Sequence, residues 1–239
     1  VDKFVVVEAT RDHAGKSKNL NFNINNFKKF KDKIIYYVVE DLPEKVEKYK
    51  KGWSSNFYRE HFHRNSIQKA IVNCEPKDLI LISDADEIPN LDILNKIKIN
   101  KFALFRQTNF LYKLNLLSDN KWLGTGACYK KYLKSPQWLR NKRFLRRGFL
   151  RRFFFKTQII ENGGWHFSFL KTPEKIKNKM ISYAHDELKI YADLEKIKDS
   201  INSKKSFFSE TLLKSIPIDE TFPSYIRENK DLFKKWIDE

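Results

Sequence analysis

The sequence predicts an α/β fold: a mostly parallel mixed central sheet flanked by helices, in a single domain over residues 1–239. Three observations carry this. Short β-branched runs alternate with polar stretches of helical period through the N-terminal part of the chain. The strand–helix–strand–helix–strand order is that of an open sheet joined by right-handed crossovers. Apolar residues make up 41 % of 239 residues, with 20 Phe, 10 Tyr and 5 Trp, enough to fill one sizeable core.

Each element has its own signal. Phe4 to Val7 is a β-branched run, read as a buried strand, and Thr10 to Asn19, with Gly15, is a loop. Phe22 to Lys33 is polar with Phe22, Ile24, Phe27 and Phe30 as its apolar positions, a short helix. Lys33 to Val39 is a second strand, stopped by Asp41 and Pro43, and Asn56 to Asn73 is a helix. Leu79 to Ile82 is wholly apolar and short, as a parallel strand covered on both faces would be. A short helix follows at Leu91 to Ile97. From Phe102 to Phe169 the segments are strand-like. Thr172-Pro173-Glu174 supplies an N-cap, a proline at the first helical position and an acid in the first turn of a helix running to about Ala184. An amphipathic helix over Ser224 to Trp236 closes the chain.

Composition excludes several classes. No apolar run approaches the roughly 20 residues of a membrane helix. Cys74 and Cys128 have no metal-ligand spacing, and neither GxGxxG nor GxxxxGK[ST] occurs, so a zinc ribbon, a dinucleotide fingerprint and a P-loop are absent. The net charge of +17 suggests a polyanion partner. Against that, 36 Lys, 22 Ile, 20 Phe and 19 Asn are all residues with AT-rich codons, and most of the lysines are scattered. Only Arg140 to Lys156 is a true cluster, with six of the eleven arginines. It has three functional readings: a cleft that binds diphosphate or an anionic acceptor, a face for an acidic membrane surface, or a nucleic-acid patch. A purely structural strand pair is the fourth.

The most informative stretch is LILISDADEIPN, Leu79 to Asn90. A buried strand runs directly into Asp84, Asp86 and Glu87, at the kind of strand end where open α/β sheets bind ligands. Three carboxylates so close repel one another unless a cation joins them, and their hard oxygens suit Mn²⁺ or Mg²⁺ holding a substrate's phosphates. In an extended turn Asp84 and Asp86 point the same way, so that one takes the metal and the other a sugar hydroxyl. The competing reading is an acidic turn that caps the helix at Leu91.

SDADEIP, preceded by FVVVEA and followed by GGWHFSFLKTPEKIKNKMISYAHDE, resembles glycosyltransferase family 17 from Val1 to about Glu187. The resemblance implies a GT-A type nucleotide-sugar-binding fold, an inverting mechanism, a UDP-sugar donor with UDP-GlcNAc favoured, a glycan or glycoprotein acceptor, and a divalent metal held through the DxD motif. The family carries a stretch ending DVVD before its first strand, whereas this chain starts VDKF; the expectation is a chain shortened at its N-terminus.

Within that frame, Glu8 and Thr10, after the first strand, are placed where a nucleotide base would sit. Phe57, Ile67 and Ile71 share one helical face and Arg64 lies within that stripe, facing the interior or a cleft edge, or else the helix begins near Asn65 with Arg64 at its mouth; either places Arg64 and Asn65 close to the third strand end, where a planar guanidinium suits a pyrophosphate. His61 and His63 diverge by about 200° on a helix and make no metal pair. His166, in GGWHFSF, is the candidate to complete the metal shell of Asp86 and Asp84, with His185 its rival. Trp165 is a platform for a sugar ring or a core residue. For the general base that an inverting transfer needs, Asp119, Glu161, Asp186 and Glu187 are available; Glu187 leads, Asp186 follows. The reading from another class is a non-catalytic binder of nucleic acid or an acidic membrane surface that retains the fold. Nucleic acid is the weaker partner, since such a binder has no use for three carboxylates at a strand end.

Overall fold

The β-branched runs do form strands. The structure, a computed structural model, describes residues 1–46, 54–144, 157–182 and 190–238. β1 (Phe4–Ala9) and β2 (Ile34–Val39) pair in parallel, Phe4 beside Ile34 through Ala9 beside Val39. Between them Ile24–Lys33 winds as a 3-10 helix with a kink at Phe27, capped by the Asn23 side chain. Its apolar residues Ile24, Phe27 and Phe30 recur every third position, the period of a 3-10 helix rather than of an α-helix.

The helix expected over Asn56 to Asn73 is present in two pieces, α1 (Ser55–Asn65) and α2 (Ile67–Ala70). The break is at Ser66, whose hydroxyl donates back to the Phe62 carbonyl at 3.0 Å, a back-bond of the kind that bends helices. Both pieces lie against the β1–β2 pair.

The larger sheet corrects the expected topology. It runs β3 (Leu79–Ile82), β6 (Leu116–Tyr129), β5 (Phe102–Leu111), β8 (Gly164–Ser168), β4 (Glu87–Pro89), with β7 (Gln158–Ile160) beside β5 and β9 (Lys214–Ser215) beside β6. β3–β6, β5–β6, β4–β8 and β6–β9 are antiparallel, while β5–β7 and β5–β8 are parallel. The sheet is therefore mixed and not mostly parallel. β3 is the end strand of this order, and of its four residues only Ile82 is fully buried. An apolar run reports burial, not the direction of its partner, and that partner lies more than forty residues further along the chain.

Two details aim the sheet at one place. The β5–β6 register shifts between Leu104 and Arg106, so that Gly124 and Thr125 of β6 fall in a bulge, a device that re-aims side chains. α3 (Pro136–Asn141), capped by Ser135 with Pro136 opening it, seats Leu139 on Ile82 and Cys128. At the other end, α4 (Pro173–Ser182) and α5 (Leu194–Asn202) bury Ile176, Met180 and Ile197 against Leu111, Tyr112 and Leu116. The closing helix breaks into Ser224–Glu228, Lys230–Phe233 and a 3-10 turn at Lys234–Trp236.

Gly164 joins β8 to β4. Its φ is +124°, and an added Cβ would lie 2.1 Å from the Ile88 carbonyl oxygen. Gly164→Ala should therefore destabilise the protein by about 2 kcal/mol or more, read as a Tm lower by about 4 °C or more; an unchanged Tm would show that β4 and β8 are not paired in this register.

Candidate functional site

The acidic turn closes on itself. The Glu87 N–H donates to the Asp84 carbonyl at 3.0 Å, and the Asp84 N–H donates to Glu87 Oε2 at 3.0 Å. The turn is thus compact rather than extended, and its two aspartates face different partners.

Glu87 is its anchor. Its side chain is 0 % exposed. Besides the Asp84 N–H it accepts from Trp122 Nε1 at 2.7 Å, and from both terminal nitrogens of Arg140, at 2.7 Å and 3.1 Å. Burial raises the Glu87 pKa and the charge of Asp84 adds to the effect, while Arg140 and Trp122 oppose it. Four donors aimed at two oxygens are the complement of an anion, not of a neutral acid. Gly124 makes room: a Cβ there would stand 1.7 Å from Gln107 Oε1 and 3.0 Å from Glu87 Cδ.

Asp84 is held by two guanidinium groups. Arg140 Nη2 reaches Oδ2 at 2.5 Å, and Arg64 Nη2 reaches Oδ1 at 3.2 Å. Burial disfavours its charge, but Arg140, Arg64 and Arg143 more than compensate and bring its pKa below the usual carboxylate value. Arg64 also pairs with Glu60 at 2.8 Å, one helical turn earlier, and donates to Gln137 Oε1 at 2.5 Å. Asn65 Oδ1 accepts from the Gln137 N–H at 3.0 Å, which ties α1 to α3.

Asp86 faces the other way. Lys179 of α4 lies 3.4 Å from its Oδ2, and His166 Nε2 lies 3.7 Å from its Oδ1. Its side chain is 29 % exposed. His166, directly opposite Glu87 in the β4–β8 pair, donates from Nδ1 to Asn109 Oδ1 at 2.8 Å. Burial pushes its pKa down to about 4; Asp86 opposes this, and Arg140 and Lys179 reinforce it. A pKa that low leaves the ring neutral at pH 7, and because Asn109 Oδ1 can only accept, the proton sits on Nδ1 and Nε2, on the side of Asp86, is the unprotonated nitrogen. Its face stacks on Trp122 at 4.6 Å and 14°.

The cation that three neighbouring carboxylates require is thus provided for Asp84 and Glu87 by Arg64 and Arg140. Among the described residues no group of three or more His, Cys, Asp or Glu side chains surrounds one point. A divalent ion here would have Asp86 and His166 as its protein ligands. Two ligands suit Mg²⁺ or Mn²⁺, which keep several waters and share a substrate's phosphates.

The remaining sequence candidates are placed as follows. Glu8 accepts from Lys18, from the Asn21 side chain, from the N–H groups of Asn21 and Phe22 and from the Tyr36 hydroxyl. It pins the loop after β1 to β2. Thr10 bonds to the Val39 carbonyl. Trp165 is adjacent to His166 on β8 and so points to the opposite sheet face, where its Nε1 donates to the Thr221 carbonyl. Glu161 pairs with Arg106 and Asp119 with Lys214, both near the surface. His63 packs on His13 and the Val7 carbonyl. Asp186, Glu187 and His185 lie outside the described residues, as do positions 145–156 of the basic cluster. Sequence reasoning missed Glu60, Trp122, Gln137 and Lys179. Only Glu60 had a signal, its i,i+4 spacing to Arg64.

A strand end that gathers guanidinium groups, a partly exposed carboxylate and an imidazole marks the candidate site of this α/β protein, in the place where such sheets bind ligands. The chain belongs to glycosyltransferase family 17, whose model matches residues 1–228. It is similar to the β-1,4-mannosyl-glycoprotein 4-β-N-acetylglucosaminyltransferases of Rattus norvegicus, 25 % identical over 98 % of this chain and 49 % of the relative, and of Homo sapiens, 24 % identical over 100 % and 50 %. The chain spans about half the length of these curated relatives. No solved structure matches it significantly.

Two outcomes follow from the geometry. Arg140→Met leaves two buried carboxylates without their guanidinium and should cost about 3–5 kcal/mol; adding Glu87→Gln should recover part of that loss, so a double-mutant cycle by urea unfolding should be non-additive by more than about 1 kcal/mol. For Glu8, burial works against the anion, but Lys18 and the Phe22 and Asn21 donors prevail and lower its pKa to about 2. A pKa depressed in the folded state means stability that is full above the unfolded value near 4.5 and lost as pH falls toward 2. Glu8→Gln should be less stable than the parent by about 1–3 kcal/mol at pH 7, with the gap closing across that window; a gap independent of pH would remove the ionised Glu8 from the account.

Proposed function

We propose that this chain carries the donor-binding and catalytic site of an N-acetylglucosaminyltransferase. On this reading it moves the sugar from UDP-GlcNAc to a hydroxyl of a glycan acceptor, with inversion and with Mn²⁺ or Mg²⁺. The observation that carries it is the convergence of Arg64 and Arg140 on the acidic turn at the end of β3, beside Asp86 and His166. Family membership supports the reaction class, and the activity for which the relatives are named supports the sugar.

The residues divide the work by charge. Arg64 and Arg140, locked by Asp84, Glu60 and Glu87, hold the acidic turn in one shape, so that Asp86 and His166 do not have to be ordered at the moment of binding. Lys179 adds an ammonium at the mouth of the site. Asp86 and His166 are the residues that would hold the cation, which when bound supplies charge neutralisation for the departing diphosphate. Glu187, with Asp186 next, is retained as the base that takes the acceptor's proton. Binding to nucleic acid or an acidic membrane surface draws less support. Arg140 is 3 % exposed and spends its guanidinium on Asp84 and Glu87 rather than on a surface. Among the described residues no helix is long and apolar enough to cross a membrane.

The test is a donor screen with UDP-GlcNAc, UDP-Glc, UDP-Gal and GDP-Man, each with and without Mn²⁺, read by thermal shift and donor hydrolysis. UDP-GlcNAc with Mn²⁺ at about 100 times its dissociation constant should stabilise the protein by roughly 2.7 kcal/mol. Asp86→Asn should abolish the Mn²⁺-dependent part of that shift and the turnover, while keeping the stability of the free protein. If it retained both, Asp86 would not hold the metal; if no nucleotide sugar shifted the melting curve, the donor reading would fail.

A further inference from the structure

Trp122 touches Glu87, His166, Arg140 and Arg143, and no spacing in the sequence marks it. Its Nε1 is fixed to the buried Glu87 carboxylate at 2.7 Å. Its ring lies nearly flat on His166, with centroids 4.6 Å apart and planes 14° apart. The guanidinium carbons of Arg143 and Arg140 lie 5.1 Å and 5.9 Å from its centroid, within cation–π range. The Glu87 bond fixes the indole in its own plane, and the stack passes that plane to the imidazole. The Asn109 bond then fixes the remaining rotation, with Nδ1 as the protonated nitrogen. An imidazole constrained at one face and at one nitrogen has a single direction left for Nε2, and that direction is Asp86, 3.7 Å away.

We infer that Trp122, anchored by Glu87, is a positioning residue that sets the ring plane of His166 and thereby keeps the Asn109 bond that selects its tautomer, so that Nε2 and the Asp86 carboxylate present a preformed pair of donors to a divalent cation. The inference rests on reading Asp86 and His166 as the cation-holding pair, and it adds an outer element that such pairs require for affinity. Bulk alone does not account for the arrangement. A residue that only filled space would need neither the hydrogen bond to a buried carboxylate nor the parallel stack.

The test uses the metal-free protein first. Imidazole nitrogen–proton correlation spectra, with His166 assigned by loss of its signals in His166→Gln, should show one neutral tautomer carrying its proton on Nδ1, with ring protons shifted upfield by the indole. Trp122→Phe keeps an aromatic ring and removes the anchor; it should give mixed tautomers and weaken Mn²⁺ binding about tenfold or more by titration calorimetry. Trp122→Leu removes the stack as well and should weaken it further. A parent spectrum without the upfield shift would overturn the inference and needs no variant to fold. So would a Trp122→Phe protein with the single tautomer and Mn²⁺ affinity intact. A parent that binds no Mn²⁺ would sink the cation reading alone, and the tautomer change in Trp122→Phe would still establish the positioning.

Discussion

A single buried carboxylate organises this end of the molecule. Glu87 accepts from the acidic turn, from β6 through Trp122 and from α3 through both terminal nitrogens of Arg140. A charge removed from water has to be compensated fully or not be there at all. The surrounding elements are therefore fixed relative to one another by the requirement that every lone pair of Glu87 be met. The bulge in β6, the absence of a side chain at Gly124 and the seating of α3 on Ile82 and Cys128 are consequences of it. Lysine in place of Arg140 would not serve, because one ammonium cannot span Glu87, Asp84 and the Gly124 carbonyl with a planar fork.

That constraint gives two acids in one short motif opposite characters. Asp84 is drawn inward, and its oxygens are committed to Arg140 and Arg64. Asp86 lies past the tight part of the turn, partly exposed, with an ammonium and an uncharged imidazole for neighbours. Had the motif remained extended, both carboxylates would compete for the same cation. Closing the turn assigns one to the protein's own guanidinium groups and leaves the other outward.

Much of this was legible in the residues, though unevenly. Strand runs such as FVVV and LILI, the Thr172-Pro173 helix start and the acidic turn at a strand end all express local chemistry, and the structure reproduces them. Strand direction was not legible, because the partner of β3 lies in a distant hairpin and burial is the same for either orientation. The 3-10 character of Ile24–Lys33 is present as the three-residue period of Ile24, Phe27 and Phe30. At the site, Arg64 reaches Asp84 as its position in the apolar stripe suggested. Glu8 spends its charge on its own loop, an outcome that requires knowing where Lys18, Asn21 and Tyr36 fold. Trp122 is 35 residues from Glu87, and no spacing rule connects them.

The same comparison bears on the net charge of +17. A sum over the chain cannot tell a solvated lysine from a guanidinium spent on a carboxylate, and the two have opposite meanings. Many lysines, such as Lys3, Lys96 and Lys121, are exposed and scattered, as AT-rich codon usage would leave them. Arg140 lies inside, balanced by the acids it orders. Around the turn Glu60, Asp84, Asp86 and Glu87 stand against Arg64, Arg140, Arg143 and Lys179, so the centre is close to neutral although the molecule is not. A neutral arrangement of this kind keeps its geometry because each charge is held by an opposite one. The basic surface acts on whatever approaches from solution, whereas the shape of the site is decided by the few residues tied to Glu87.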